Sequence, residues 1–320
     1  MSSGTAGTAA STATANLGTH HYLTYKGQPN GVYSLAWSPD GKWIASGSVD
    51  AQVWDAMTGK TLLTYSAHGS ADFIFCLAWS PNGDDIATGS GRAFRPSTDY
   101  TARVWDPTSG MTHVTYHGHA EGVMALAWSP DSTRVATASK DQTVQVWDAA
   151  TGKLLATYKG HTGIIWALAW SPDGTRIASG SQDHTVQVWD AQTGKHLVTY
   201  TQHTQDIYGV AWSHDSTRIA SAGSDSIVQV WDAATGETLH TYGGHSGPVW
   251  AAAWSRDDSR IASGAQDGTV QIWDATTGQH PFTYRGHAAG STVTSLAWSP
   301  DGTRIASGGG DGTVQLWQAK

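Results

Sequence analysis

Cysteine is almost absent from this sequence. Cys76 is the only one in 320 residues, so no intrachain disulfide can form and the fold must hold without covalent staples. Charge is sparse too: 18 Lys and Arg against 26 Asp and Glu leave a net charge of −8. No nucleic-acid partner is expected, because neutralising phosphates needs a clustered basic face. No apolar run approaches the ~20 residues of a membrane-spanning helix, so no membrane partner is expected and the chain reads as cytoplasmic. Residues 1–18 lack nearly everything a core needs. They are almost all Ser, Thr, Ala and Gly, without the basic start or apolar block of a signal peptide. That stretch is expected to be a disordered linker, and residues 19–320 to form the folded body.

Tryptophan is what the sequence has in excess. One series, Trp37, Trp79, Trp128, Trp170, Trp212, Trp254 and Trp298, sits inside Ala-Trp-Ser triplets. A second, Trp54, Trp105, Trp147, Trp189, Trp231, Trp273 and Trp317, ends Val/Ile-rich runs. Both step by 42 through the central copies, for example from Trp147 to Trp189 to Trp231. A period in that range, with four short strands per unit, predicts the blades of a propeller. Seven units therefore predict an all-β, seven-bladed ring.

The fourth unit reads clearly. Ile164 to Trp170, Arg176 to Ser181, Thr185 to Trp189 and Lys195 to Tyr200 predict four antiparallel strands. Ser171-Pro172-Asp173-Gly174 supplies one turn, since proline presets a backbone angle and glycine accepts a positive one. Strict alternation along the first strand puts Trp170, Leu168 and Trp166 on a large face and Ala169, Ala167 and Ile165 on a small one. Both faces are apolar, as expected between neighbouring sheets. Cys76 falls in the small series and is expected to be a buried, inert thiol. The ends of the chain are out of phase. His21 to Gly27 matches a fourth strand, whereas the C-terminus stops just after a third. Pairing the two would close the ring and remove an open edge.

The units resemble WD repeats: Gly-His near the start (Gly160-His161), Ser-Pro-Asp-Gly in the middle, an aspartate six residues before tryptophan, then Trp-Asp (Trp189-Asp190). The likeness covers about residues 20–318. It implies a seven-bladed propeller that acts as an interaction platform or scaffold. It also implies a buried hydrogen-bond network in each blade, joining histidine, Ser or Thr, aspartate and tryptophan. In the fourth unit these are His161, Ser179, Asp183 and Trp189. In the others they are His68, Thr88, Asp99 and Trp105; His119, Thr137, Asp141 and Trp147; His203, Ser221, Asp225 and Trp231; His245, Ser263, Asp267 and Trp273; and His287, Ser307, Asp311 and Trp317. The first unit departs. Gln28 replaces the histidine and the run from Ser48 to Trp54 is two residues short, so this blade is expected to be the least stable. Repeats this alike resemble those attached to bacterial Ser/Thr kinases or signalling ATPases.

A Ser–His–Asp set invites comparison with a catalytic triad. Here the set recurs in nearly every blade, whereas a nucleophile needs one accessible place beside a cleft. No catalytic residues are expected, and the chain is not expected to be an enzyme. Six of the 15 histidines belong to the repeating column, and no Cys/His cluster has ligand spacing, so neither metal nor cofactor is expected. The arginines Arg134, Arg176, Arg218, Arg260 and Arg304 are expected to pair with nearby Trp-Asp aspartates such as Asp148 and Asp190, in preference to forming an anion-binding ring.

Partners are expected on the face that carries the Gly-His turns, where the copies diverge. Four residues before the first-series tryptophans stand Tyr33, Phe75, Met124, Trp166, Tyr208, Trp250 and Thr294. Two residues earlier, Phe73 and Ile164 are bulky. Corresponding positions resemble the partner-binding face of G-protein β subunits. Two placements are open: a ring of bulky side chains around one pore mouth, or an extension of the large strand face into the core. The second unit also carries seven extra residues around Gly91 to Ser97, where Arg92, Phe94 and Arg95 would suit a protein or peptide. Removing Arg92 to Ser97 is expected to leave folding intact. The expected function is a non-enzymatic platform for a protein or peptide, as a monomeric ring within a larger signalling protein. The alternative is a recently amplified or engineered ring with no selected ligand.

Overall fold

The computed structural model describes residues 21–69, 72–92, 96–279 and 282–319. The linker expected over residues 1–18 lies outside them. Within the described residues the chain forms 28 strands and no helix. They assemble into seven four-stranded antiparallel sheets, and in six of these the strands lie in chain order. The fourth blade is representative, with strands Ile165–Trp170, Arg176–Ser181, Val186–Asp190 and His196–Tyr200. Gly174 holds φ +75° in the turn after its first strand, a conformation that L side chains adopt at a penalty.

The seventh sheet contains both ends of the chain. His21–Tyr25 pairs antiparallel with Val314–Gln318, with Tyr25 opposite Val314 and Leu23 opposite Leu316. The phase mismatch between the ends is thereby resolved and the ring is closed.

The core lies between the sheets. One cluster joins Ala136, Val144 and Tyr158 of the third blade to Ile165, Trp170 and Trp189 of the fourth. Small residues on one sheet face large ones on the next, which allows close packing. The second-series tryptophans are fully buried. The tyrosine ending each outer strand stacks on the tryptophan of the following blade, as in Tyr158–Trp189 at 4.9 Å and 3°. Such ring pairs contribute ~0.5–1.5 kcal/mol beyond area burial.

Strict alternation fails on the inner strands. The inner strands carry a bulge between Ile165 and Ala167, with equivalents between Ile74 and Cys76, Val123 and Ala125, Ile207 and Gly209, Val249 and Ala251, and Val293 and Ser295. The residues skipped are Trp166, Phe75, Met124, Tyr208, Trp250 and Thr294. A bulge leaves one residue unpaired and re-aims its side chain. Trp166 is therefore out of phase with Leu168 and Trp170, contrary to the expectation from alternation.

Candidate partner-binding face

The face with the Gly-His turns is underpinned by the repeating network. In six blades the histidine Nδ1 lies 2.7–3.1 Å from the tight-turn aspartate. Its Nε2 lies 2.8–2.9 Å from the Thr or Ser hydroxyl: Thr88, Thr137, Ser179, Ser221, Ser263 or Ser307. A carboxylate only accepts, so Nδ1 donates to it, and Nε2 is left to accept the hydroxyl proton. The hydroxyl oxygen then accepts an indole N–H from Trp105, Trp147, Trp231 and Trp273 at 3.2–3.3 Å. Trp189 and Trp317 lack that last bond. In the first blade Gln28 Nε2 takes the place of imidazole and donates to Ser46 O at 3.0 Å, while Trp54 Nε1 donates to Ser46 Oγ at 3.2 Å.

Five of these aspartates, Asp141, Asp183, Asp225, Asp267 and Asp311, also accept a backbone N–H from the Gly-His turn. Asp183 accepts from Thr162 N at 3.0 Å, Thr185 N at 3.0 Å and Thr185 Oγ1 at 2.7 Å. Burial pushes its carboxyl upward in pKa, but the bonds from His161 and Thr185 outweigh burial and hold it well below the usual range. Asp141 is held at about 2 against the same upward pull of burial, chiefly by His119. The loops of this face therefore stand on a rigid, hydrogen-bonded base. The hydroxyls of Thr137 and Ser179 belong to fully buried residues, so they are not placed to attack a substrate.

At the centre of the ring is a cavity of about 720 Å³. Tyr33, Phe73, Phe75, Met124, Trp166, Tyr208 and Trp250 line it, together with Thr294, Ser295 and Leu residues of the inner strands. Of the six bulky rim residues only Met124 is buried; Tyr33, Phe75, Trp166, Tyr208 and Trp250 are half-buried. They form two groups. Tyr33 packs on Phe73 at 4.9 Å and on Phe75 at 5.2 Å. Farther round, Tyr208 stacks on Trp250 at 4.2 Å and meets Trp166 edge-on at 6.0 Å. Ile164 does not line the cavity; its carbonyl accepts from Gln182 N. Cys76 does line it, and burial pushes its thiol far above the ordinary range.

The extra loop of the second blade is anchored by a residue that pattern reading missed. Asp72 is 1% exposed. Its Oδ2 accepts from Thr98 N at 2.6 Å, Thr98 Oγ1 at 2.8 Å and Asp99 N at 2.6 Å. Arg92 Nε lies 2.7 Å from Asp72 Oδ1, a close ion pair without hydrogen-bond alignment. Ser97 Oγ accepts from Arg92 N. Arg92 and Ser97, the two ends of the segment expected to be removable, are thus tied to each other, and Arg92 to Asp72. The available signal was an acid at an offset where no other copy has aspartate. Phe94 and Arg95 lie outside the described residues.

The arginine column does not behave as expected. Asp148 and Asp190 instead cap their own turns, accepting from Thr151 and Thr193. Each guanidinium stacks on the Ala-Trp-Ser tryptophan of the next blade: Arg134 on Trp170, Arg176 on Trp212, Arg218 on Trp254, Arg260 on Trp298 and Arg304 on Trp37, at 4.6–5.2 Å. A weakly hydrated planar cation gains more on an indole face than from a carboxylate already satisfied by its own turn. Among the described residues no group of three or more His, Cys, Asp or Glu side chains is placed to hold a metal ion.

A family model described as "WD domain, G-beta repeat" matches seven segments of the chain: residues 20–55, 59–106, 110–148, 152–190, 194–232, 236–274 and 278–318. No curated protein matches the chain.

Proposed function

The chain belongs to the WD-repeat family, and from that premise we propose that it is a non-enzymatic platform for a protein or peptide seated over the mouth of the axial cavity. Propellers of this family typically serve as interaction scaffolds. The observation that carries the reading is the aromatic rim. Half-buried Tyr208, Trp250 and Trp166 on one side, and Tyr33, Phe73 and Phe75 on the other, are held at a rigid opening. Large, half-exposed aromatics at a pocket are the residue types that dominate binding energy in interfaces. The ring would act as one monomeric module of a larger cytoplasmic signalling protein.

The near-identity of the blades favours a second reading, an amplified ring without a selected ligand. Affinity capture from the source cell with the intact ring, set against a Trp166→Ala, Trp250→Ala double variant of equal melting temperature, separates the two. A partner retained by the first and lost by the second supports the platform. Equal capture by both removes the cavity mouth from the account.

A further inference from the structure

The cavity contains one charged residue among those described as lining it, and that residue is incompletely used. Among the described residues Arg92 is the only cation or anion in the wall; the remainder is aromatic, aliphatic, sulfur-bearing, or small and polar. Its Nε faces Asp72 Oδ1 at 2.7 Å, while the three donors from Thr98 and Asp99 occupy Oδ2, so Asp72 engages only the Nε edge of the guanidinium. The terminal nitrogens of the guanidinium have no partner among the described residues, and the side chain is 29% exposed. Lys140 Nζ, from the next blade, reaches the Arg92 carbonyl at 3.2 Å and brings a second positive charge to the same rim. The end of a guanidinium is a planar pair of donors that matches a carboxylate in shape and charge. The rest of the wall is suited to an apolar ring or chain, stacked as Tyr208 stacks on Trp250. A volume of about 720 Å³ falls within the range of roughly 300–1,000 Å³ that encloses a whole ligand group.

We infer that the cavity takes the C-terminal residue of a partner polypeptide, an aromatic or large aliphatic one, with its side chain among the rim aromatics and its α-carboxylate on Arg92. This rests on the platform reading and specifies its ligand. A chain end meets the geometry because it offers an apolar group and an anion within one residue, whereas an internal apolar residue offers no charge for Arg92. Asp72 already balances the charge at Nε, but an internal apolar segment would desolvate the terminal N–H groups of the guanidinium without matching them.

The test screens the full 320-residue chain against two random hexapeptide pools attached through their N-termini, one ending in free carboxylates and one in C-terminal amides. The acid pool is expected to enrich Phe, Trp, Tyr or Leu at its last position. A resynthesised acid peptide is expected to bind about tenfold or more tightly than its amide. Arg92→Gln, which keeps an amide donor toward Asp72, is expected to abolish that difference, while Trp250→Ala weakens both peptides. If Arg92→Gln does not fold, the acid–amide comparison on the unaltered chain decides alone. Equal binding of acid and amide, or an apolar preference at internal positions, overturns the inference. If Trp250→Ala still weakens such binding, the platform reading survives that result. No enrichment in either pool overturns both.

Discussion

His214 Nδ1 lies 2.8 Å from Asp258 Oδ1 across the boundary between the fifth and sixth blades. His214 occupies the position of proline in Ser-Pro-Asp-Gly, and Asp258 the position of its glycine. Elsewhere on this face a glycine of one blade lies against a proline of the blade before, as Gly83 against Pro39 and Gly174 against Pro130. Where the glycine is replaced, the new side chain bonds the preceding turn: Ser132 accepts from Asn82 N, Ser216 from Asp173 N, and Asp258 from His214 N and Asp215 N. All three replacements hold positive φ, 61°, 61° and 55°.

Two effects oppose each other in Asp258→Gly. Glycine relieves a left-handed conformation worth ~1–2 kcal/mol in an ordinary L residue, and less in Asp. Against this, the substitution removes three donors' shared acceptor, where bonds to a charged group contribute ~1.5–3 kcal/mol. The expected outcome is a lower melting temperature for Asp258→Gly and a smaller fall for Asp258→Asn, which tolerates the conformation and keeps one acceptor. Thermal melts of the three proteins decide it; a glycine variant that melts higher would show that strain outweighs the staple.

His161→Ala strips the fourth blade of the group that joins Ser179 to Asp183. Both partners are left with unmet bonds, Ser179 in a fully buried position. The expected loss is about 1–3 kcal/mol, read from urea unfolding. An unchanged midpoint would mean that neighbouring donors take over. The corresponding change at Gln28 should cost less, since its amide donates to Ser46 but no carboxylate side chain completes that network.

Acid should loosen the partner face before the sheets fail. Asp99 and Asp141 are held at about 2 in the folded chain, below the ordinary 3.8. Depressed folded values mean that the stabilisation is fully present above the unfolded value and is lost as pH falls through 3.8 toward 2. Urea midpoints for the unaltered chain and for Asp141→Asn should therefore differ by a constant amount above about pH 5 and converge toward about pH 1. A gap undiminished at about pH 2 would assign the effect to the amide's geometry instead of to charge.

The ring and its closure were legible because they depend on periodicity: the 42-residue step, and a chain that opens with a fourth strand and stops after a third. The histidine column was legible because it repeats. What could not be read were features set by tertiary approach. The bulge at Trp166 leaves no mark in an alternating pattern. The Arg134–Trp170 stack joins adjacent blades through residues that repeat independently. The Asp72 anchor occurs once and serves a loop that no other blade has.

Asp72→Ala should be among the more damaging substitutions outside the strands. It removes a buried carboxylate and leaves Arg92 and the backbone donors of Thr98 and Asp99 unmatched. Breaking one side of a buried pair costs roughly 3–5 kcal/mol, and Arg92's exposure places the expected value toward the low end. Differential scanning calorimetry, with Asp72→Asn as the intermediate case, would detect it. No change in either variant would show that the loop is held by something other than this carboxylate.

Removal of residues 1–25 should open the ring. It takes away the strand His21–Tyr25, which pairs with Val314–Gln318, and with it Tyr25, which stacks on Trp54 at 4.3 Å. Trp54 of the first blade would lose its stacking partner, and Leu316, like Trp54 fully buried, would lie on a strand left with an unpaired edge, an arrangement that invites association between chains. The melting temperature should fall and the chain should self-associate on size-exclusion chromatography, whereas removal of residues 1–18 alone should change neither. A synthetic peptide of residues 18–27 added to the shortened chain is expected to restore the monomer by refilling the seventh sheet. If the shortened chain melts as high as the full one and stays monomeric, closure by this strand contributes nothing to stability.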